Sequence, residues 1–311
     1  MQKFPNRGSA LISALFIMTL VAIAATAMSL RLQSDIHRTR LTIENDKLYL
    51  ASQFVTFWAM STLLNPKVPI KALDKTGKIL NFPDKLQSIY PDVHTRGSIY
   101  DLHARFNINN VSDKRFQQSF VQLLKKKTRV TQNARKELTN NLRNWLTPYQ
   151  PGANSTLNLD YYLKQKPPYF PAMQLMENVS ELRLVKGFSP SVYSALEAEL
   201  CALPELTAIN LNTASKAVLA TLGAGLTDYQ VDEIVALRGE EGITELGKIN
   251  PVLEKLGIRN EQITLESLYY LVVTDVSTQA LTRRKYSVLK RQKDNKGKIT
   301  LSLIHESLNT Y

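Results

Sequence analysis

The first thirty residues constrain the fold of this chain more than any other segment. From Ser9 to Leu30 the sequence reads SALISALFIMTLVAIAATAMSL and carries no charged side chain, whereas Lys3, Arg7 and Arg31 flank it. Roughly 20 apolar residues in a helix match the hydrocarbon thickness of a bilayer. The segment therefore predicts a helix that crosses a membrane once, with the short basic leader on the cytoplasmic side.

The helical pattern continues beyond the apolar run, and Pro66 and Pro69 mark its end. Apolar residues recur with a period near 3.6 in this second half, at Leu32, Ile36, Ile43, Leu50, Phe54, Phe57 and Trp58. The sequence thus predicts one long helix that is apolar all round in its first half and amphipathic in its second. The amphipathic half needs a surface to pack on, and the C-terminal globular region is the natural candidate.

The remainder of the chain alternates between strand and helix signals. Residues 65–97 read as loop, and residues 98–109 alternate apolar and polar side chains as a half-buried strand does. Helical patterns and a long connection follow, and three strands end the chain: 112–147 (helical), 148–175 (connection), 178–265 (short helices), 268–278, 282–292 and 298–308 (strands). A helical block between strands of one sheet indicates an α+β fold with an inserted domain.

Composition narrows the function classes. The formal net charge is +12, which nucleic acid, an anionic membrane surface or acidic protein partners could all exploit. A single cysteine, Cys201, allows no internal disulfide, and its setting predicts a small buried hydrophobe on a helix. The four histidines have no metal-ligand spacing, and no common hydrolase or phosphate-loop motif is present. An enzyme is not expected.

A second motif lies between Thr207 and Arg238. It resembles the helix-hairpin-helix family, in which two short helices flank a glycine turn whose backbone N–H groups face a DNA phosphate. Gly223 and Gly225 occupy that turn. The residues that follow include Asp228, Asp232 and Glu233, which place carboxylates where phosphate binding requires cations. The pattern favours a structural hairpin over a DNA-binding one.

Further motifs follow one another in a fixed order. They are RFNINN (105–110), a loop led by Trp145 that ends in YY, SELRLVKG (180–187), INLNTAS (209–215) and the late strands. With the prepilin-like junction NRG|SALISALFIM, this order closely resembles the GspK family, the large minor pseudopilins of type II secretion systems. The matching residues are Phe106, Asn107, Asn109, Asn110, Trp145, Tyr161, Tyr162, Ser180, Glu181, Leu182, Val185, Gly187, Asn210, Asn212, Thr213 and Ala214. We expect the asparagines to act as fold determinants, since Asn side chains bond to nearby backbone.

The resemblance implies a specific fold class. It is α+β: a pilin-like long N-terminal helix packed on a small antiparallel sheet, with a large inserted all-α domain that contains the helix-hairpin-helix-like unit. The implied divisions are 1–8 (prepilin leader), 9–30 (transmembrane part of the helix), 31–64 (periplasmic part), 65–110 with 266–311 (pilin-like domain) and 111–265 (inserted domain).

The resemblance also implies processing and location. A prepilin peptidase would cleave between Gly8 and Ser9, and Ser9 would be N-methylated. Most pilins have Glu at the fifth mature position, where this chain has Ser13. A buried carboxylate without a partner is costly, so a subunit with nothing to pair with does better without it. The helix would anchor the protein in the inner membrane, with the globular part in the periplasm.

The implied function is assembly at the tip of a pseudopilus. The expected partners are the minor pseudopilins GspI and GspJ, with GspH as a further candidate, and the major pseudopilin. The subunit would initiate and cap the assembly, which supports export of folded proteins across the outer membrane. Partner helices would pack through small residues such as Ala10, Ala14, Ala22, Ala24 and Ala25.

Calcium is the one cofactor that the resemblance suggests. The usual loop of the family is acidic, but here Asp160 is the only carboxylate between Trp145 and the two tyrosines. Asn154 and Asn158 add two side-chain amide oxygens there, a thin set for an ion that wants several oxygens. Asp160 is therefore the candidate ligand of a poorly matched site.

Three other classes of protein would explain only part of the sequence. A simple signal anchor would explain the N-terminus alone. A membrane-anchored DNA-binding protein of the competence type would explain the basic charge and the glycine turn, but nucleic acid is not expected beside an acidic hairpin. A minor pilin of a type IV pilus would share the leader.

Overall fold

A single long helix dominates the molecule. The computed structural model describes residues 7–66, 68, 71–74, 76–148, 158–239, 241–294 and 296–309. Helix α1 (Arg7–Leu64) contains 58 residues, about 87 Å at 1.5 Å per residue. It ends two residues before Pro66, and the prediction of one continuous helix is confirmed.

Seven shorter α-helices and nine strands follow α1 in the part of the chain that the structure describes. The helices are α2 (Lys114–Lys127), α3 (Gln132–Leu146), α4 (Leu159–Leu163), α5 (Pro190–Leu196), α6 (Lys216–Leu219), α7 (Asp228–Arg238) and α8 (Asn250–Lys255) in the described residues. The strands there are β1 (Lys78–Asn81), β2 (His94–Asp101), β3 (Phe106–Asn107), β4 (Leu200–Cys201), β5 (Ile209–Asn210), β6 (Ile263–Thr264), β7 (Tyr269–Ser277), β8 (Thr282–Lys293) and β9 (Ile299–Leu308).

Five of the strands form one antiparallel sheet in the order β1-β2-β7-β8-β9. One face of this sheet packs against α1, where Val55, Ala59 and Leu63 meet Tyr270 and Val272. Close approach depends on a glycine in β2. A Cβ atom on Gly97 would lie 2.5 Å from a methyl carbon of Val55.

The helical region, defined here as residues 102–268, lies between β2 and β7, which are hydrogen-bonded neighbours in the sheet. It has its own apolar core, to which α2, α3, α5, α6 and α7 all contribute. Two short parallel ladders, β3 with β4 and β5 with β6, tie its segments together. The predicted α+β class, a long helix on an antiparallel sheet with a helical region, is confirmed.

The helical region joins the sheet at the end remote from the free half of α1. There the Arg291 Nε donates to the Leu63 carbonyl at 2.8 Å, and the Arg291 amide donates to the Leu268 carbonyl at 2.7 Å. At the opposite end of the sheet, Leu48 and Val276 lie in one apolar cluster. The helical region is therefore attached to the end of the sheet that lies farthest from the apolar first half of α1.

Three local predictions were wrong. Residues 65–97 are not all loop, because they contain β1 and the start of β2. The strand predicted over residues 98–109 stops at Asp101, whose carboxylate accepts the His103 amide and turns the chain. Cys201 is buried as expected, but it lies in β4 and not on a helix.

Candidate assembly interface

The first half of α1 is an exposed apolar surface. Every residue from Ala10 to Leu30 is exposed, and the helix is long and apolar enough to cross a membrane once. Ser13 lies within this segment. Gly8 and Ser9, the predicted cleavage site, lie in the first turn of α1, and their side chains are outside the described part. This half of the helix is available to lipid or to other helices.

The second half of α1 carries an outward apolar stripe. The stripe consists of Ile36, Ile43, Leu50, Phe57 and Leu64, each 45% to 65% exposed. Residues seven apart complete about two helical turns and so share one face. The prediction that the second half of α1 packs on the globular region is confirmed, and Phe54 and Trp58 of the predicted periodic set pack there. The stripe itself faces away from the sheet, so most of the residues that periodicity identified are not the ones that the sheet covers. The residues buried against the globular region are instead Leu48, Ala51, Val55, Ala59 and Leu63.

A buried carboxylate holds the junction between sheet and helical region. Asp101, the last residue of β2, is fully buried. Its carboxylate accepts hydrogen bonds from the His103 amide (2.8 Å), Asn210 Nδ2 (3.0 Å), Thr213 Oγ1 (2.5 Å) and Ser267 Oγ (2.7 Å). Burial raises the pKa of Asp101, and the Thr213 and Ser267 hydroxyls oppose that effect. These bonds join three segments that are far apart in sequence.

His103 links the same junction in its neutral form. Its Nδ1 lies 2.9 Å from the Ala208 carbonyl, and its Nε2 accepts the Leu268 amide at 3.2 Å. That pairing fits the tautomer with the proton on Nδ1. Burial lowers the pKa of His103, although the carboxylates of Asp101 and Glu205 act in the opposite direction.

We expect stability to fall when the pH drops below about 6.5, the ordinary pKa of histidine. The folded-state pKa of His103 is lowered, so below 6.5 the unfolded chain binds a proton that the folded chain resists. Urea midpoints between pH 8 and pH 5 measure this effect. The slope below pH 6.5 should be shallower in His103→Gln. A slope equal to that of the native protein would contradict the assignment.

Asparagine side chains act as backbone substitutes in the helical region. In three asparagines, the side-chain oxygen accepts the backbone N–H of a distant residue, and the side-chain nitrogen donates to the carbonyl of that same residue. The pairs are Asn109 with Met176 (2.9 and 2.9 Å), Asn110 with Thr207 (3.1 and 2.7 Å) and Asn212 with Ile243 (2.8 and 2.9 Å). Asn107 and Asn210 also bond to residues far along the chain. Their expected role as fold determinants agrees with these contacts.

The two glycines of the predicted turn are half-buried against neighbouring residues. Gly223 and Gly225 have φ of +59° and +104°, which favour glycine. The Gly223 amide donates to Gln262 Oε1 at 3.3 Å, and the Gly225 amide donates to the Leu222 carbonyl at 3.0 Å. A Cβ on Gly225 would lie 2.5 Å from the Gln122 side chain. The N–H groups of both glycines, which a DNA phosphate would need, are therefore already engaged.

The cations near this turn are neutralised. Lys126 forms an ion pair with Asp228, and Lys216 forms one with Asp232 at 2.5 Å. Both pairs are largely exposed, so each contributes little to stability. Their carboxylates nevertheless remove positive potential beside the turn, which favours a structural role for it.

The described residues around Asp160 do not offer the donor set of a calcium site. Asp160 is exposed in the first turn of α4, and the described residues contain no group of three His, Cys, Asp or Glu side chains able to hold a metal. The Asn158 Oδ1 instead accepts from Lys186 Nζ at 3.0 Å, and Asn158 Nδ2 donates to Asn141 Oδ1 at 2.9 Å. Asn154 lies outside the described residues. A lysine ammonium thus takes up an oxygen that a metal ion would need.

Chelation is therefore expected to leave thermal stability unchanged. Melting curves in excess EDTA and in added calcium chloride should coincide, because a ligand that binds only the folded state would raise Tm. Lys186→Met should lower Tm under both conditions, since it removes the cation that Asn158 binds. A rise of Tm with calcium would show that the loop holds the ion.

The thiol of the single cysteine lies in the protein core. Cys201 is fully buried, and burial raises the pKa of its thiol to about 12. Its Sγ lies 3.3 Å from the Leu102 carbonyl, as a weak donor does. The thiol therefore behaves as part of the core and not as a nucleophile.

Comparison with known proteins gives the family. Two models of type II secretion system protein K match residues 104–205 and 209–267. Protein K of Aeromonas hydrophila is 27% identical over 93% of this chain and 94% of its own length. Protein K of Pseudomonas aeruginosa is 31% identical, and that match spans 66% of this chain and 63% of the Pseudomonas protein.

A solved structure shows the same fold. A chain in the crystal structure of the GspK-GspI-GspJ complex from the type 2 secretion system of enterotoxigenic Escherichia coli aligns with a TM-score of 0.69. The alignment covers 88% of this chain and 100% of that one at 18% identity.

An apolar helix that continues onto an antiparallel sheet, with a helical region between neighbouring strands, is a fold shared with a chain of a solved type 2 secretion system complex. The two family models together match more than half of the sequence, and the chain belongs to the type II secretion system protein K family. The resemblance seen in the order of motifs is confirmed.

Proposed function

We propose that this chain is the minor pseudopilin at the tip of a type II secretion pseudopilus. There it initiates and caps assembly with GspI and GspJ, and with GspH as a further candidate, above the major pseudopilin. The assembly supports export of folded proteins across the outer membrane. The relative solved in complex with GspI and GspJ supports these partners.

The placement of the helical region is the observation that carries this proposal. Subunits that assemble through α1 stack along its axis, and the helical region is mounted on the sheet end beyond Leu63. A further subunit above it would meet residues 102–268 and not a free helix. Division of the chain into a pilin-like domain (65–110 and 266–311) and an inserted domain (111–265) belongs to this proposal.

The N-terminus supplies the second line of support. Prepilin peptidase would cleave between Gly8 and Ser9, and Ser9 would be N-methylated, which leaves the apolar helix at the new N-terminus. Ser13 brings no carboxylate into the membrane, which suits a subunit with no neighbour above it to pair with. The basic leader supports an orientation with the globular part in the periplasm, beyond the inner membrane.

The engaged turn at Gly223 and Gly225 gives no support to a competence-type DNA-binding role. Membership of the protein K family likewise favours a secretion pseudopilus over a type IV pilus.

Co-purification tests the proposal. The full chain in detergent micelles, mixed with the GspI and GspJ subunits of the same organism, should elute as one ternary complex. Deletion of its gene should stop export of folded proteins and change pseudopilus length. Absence of a complex at both low and high salt would overturn the tip assignment, and retention of duplex DNA would favour the competence-type alternative.

A further inference from the structure

A cationic cleft lies on the face of the sheet opposite α1. The cleft has a volume of ≈ 900 Å³ and opens between the outer sheet face, where Tyr100, Leu271 and Val273 lie, and the helical region around Val179 and α5. It runs from the junction toward Asp275, near the end of the sheet closer to the membrane. The assembly role proposed above makes no use of it.

The cleft has more positive than negative charge. Its lining contains two carboxylates, Glu197 and Asp275. It also contains five cations: Lys78, Arg96, Arg105, Arg183 and Arg284.

Two of the five cations are already paired. Asp275 binds Arg284 through two contacts of 2.5 and 3.1 Å, and Asp74 lies 3.6 Å from Lys78 Nζ. The remaining arginines, Arg96, Arg105 and Arg183, form no ion pair among the described residues. A cluster of unpaired arginines in a cleft attracts an anion.

Arg105 adds a specific signal. Its Nε is buried and has no hydrogen-bond partner in the described part of the chain. A buried donor without an acceptor costs free energy, which an incoming carboxylate oxygen would recover. The cleft thus has both a positive potential and an unmet hydrogen-bond donor.

Aromatic and apolar side chains in the cleft favour a peptide as the occupant. Tyr100, Tyr193 and Tyr286 line it, and the Arg183 guanidinium lies 5.4 Å above the Tyr193 ring. Peptide-binding surfaces combine tyrosine and arginine in this way. A nucleic-acid backbone would instead require cations without interspersed carboxylates.

A lipid headgroup cannot reach the cleft. The apolar run ends before Arg31, and contact of α1 with the globular part begins at Glu44, whose Oε2 accepts from Thr278 Oγ1 at 3.4 Å. That stretch of helix rises about 20 Å, which holds the cleft above a membrane surface.

We propose that the cationic cleft binds an acidic, extended segment of a neighbouring pseudopilin in the same assembly. This inference rests on the tip role proposed above. Subunits packed along α1 lie toward the membrane, and the Arg96 and Arg284 end of the cleft faces that side. An exported protein would instead approach the helical region at the far end.

Charge reversal in the cleft tests this assignment. Arg96→Glu with Arg183→Glu changes two exposed side chains and should leave the fold intact. The matched control is Lys136→Glu with Lys298→Glu, two exposed lysines outside the cleft. Dissociation constants for the purified GspI–GspJ pair are measured with the full chain in detergent micelles. The cleft variant should bind roughly tenfold more weakly or worse, and the control should change far less.

Photo-crosslinking identifies the occupant. A benzophenone amino acid in place of Ser180, on the cleft lining, should attach to a segment of GspI or GspJ that contains Asp or Glu. Equal affinity of cleft variant and control would overturn the cleft while leaving the tip role in place. Crosslinks to an exported protein or to nucleic acid would also overturn it. If the native chain forms no complex at all, the tip role and the cleft inference fail together.

Discussion

Replacement of Asp101 with alanine is expected to lower the free energy of unfolding by about 3–5 kcal/mol. The carboxylate is fully buried and accepts from Asn210, Thr213 and Ser267 as well as from the His103 amide. Alanine would leave these donors buried without an acceptor. Because the donors come from three separate segments, loss of the carboxylate would weaken the attachment of the whole helical region to the sheet.

Urea unfolding of the full chain in detergent micelles measures the loss. Asp113→Ala is the matched control, because Asp113 is also an aspartate that accepts a backbone amide two residues on, from Arg115 at 2.8 Å. Asp113 lies at the start of α2, so its loss should cost only about 1 kcal/mol.

Proteolysis distinguishes loosening of the junction from general instability. In Asp101→Ala, cleavage should concentrate around residues 102–104 and 266–268, where the helical region joins β2 and β7. Equal stability losses in the two aspartate variants would show that the junction network contributes no more than an ordinary helix cap.

Helices and strands were predicted correctly from the sequence wherever a single hydrophobic pattern dominated the segment. The apolar run and its proline stop specified α1, and strand-type segments separated by turn signals specified β7, β8 and β9. Strand β1 was missed because four residues between turn-rich segments carry too little periodicity. The strand over residues 98–109 was misread because its alternation continues past Asp101, where a side chain ends the ladder.

The long-range partners of the asparagines could not be predicted from the sequence. Asn109 and Asn110 were expected to stabilise the fold, but their partners Met176 and Thr207 are 67 and 97 residues away. No local pattern records such pairings, because a side-chain amide bonds to whatever backbone the fold brings near. The same holds for the outward stripe on α1, since periodicity shows that a face exists and not which face the sheet covers.

That stripe leads to the second large expected effect. Phe57→Glu should weaken assembly with the GspI–GspJ pair by about 100-fold or more. Phe57 is 65% exposed in the isolated chain, at the centre of the apolar face formed with Leu50 and Leu64. If a partner helix covers this face, glutamate would be buried there without a partner for its charge.

The fold itself should tolerate the change. Glutamate has a good helix propensity, and a substitution at an exposed helix position typically shifts stability by no more than about 0.5 kcal/mol. Phe170→Glu is the matched control, because Phe170 is also 65% exposed but lies away from α1. Phe57→Leu keeps the apolar surface and should retain most of the affinity.

Size-exclusion chromatography and dissociation constants for the three variants separate the possibilities. Loss of the complex in Phe57→Glu alone, with urea midpoints unchanged, would place a partner helix on the stripe. If Phe170→Glu disrupts assembly equally, the added charge and not the stripe is responsible. If neither variant weakens the complex, the partners bind through another face, and the exposed row from Ile36 to Leu64 is not an assembly surface.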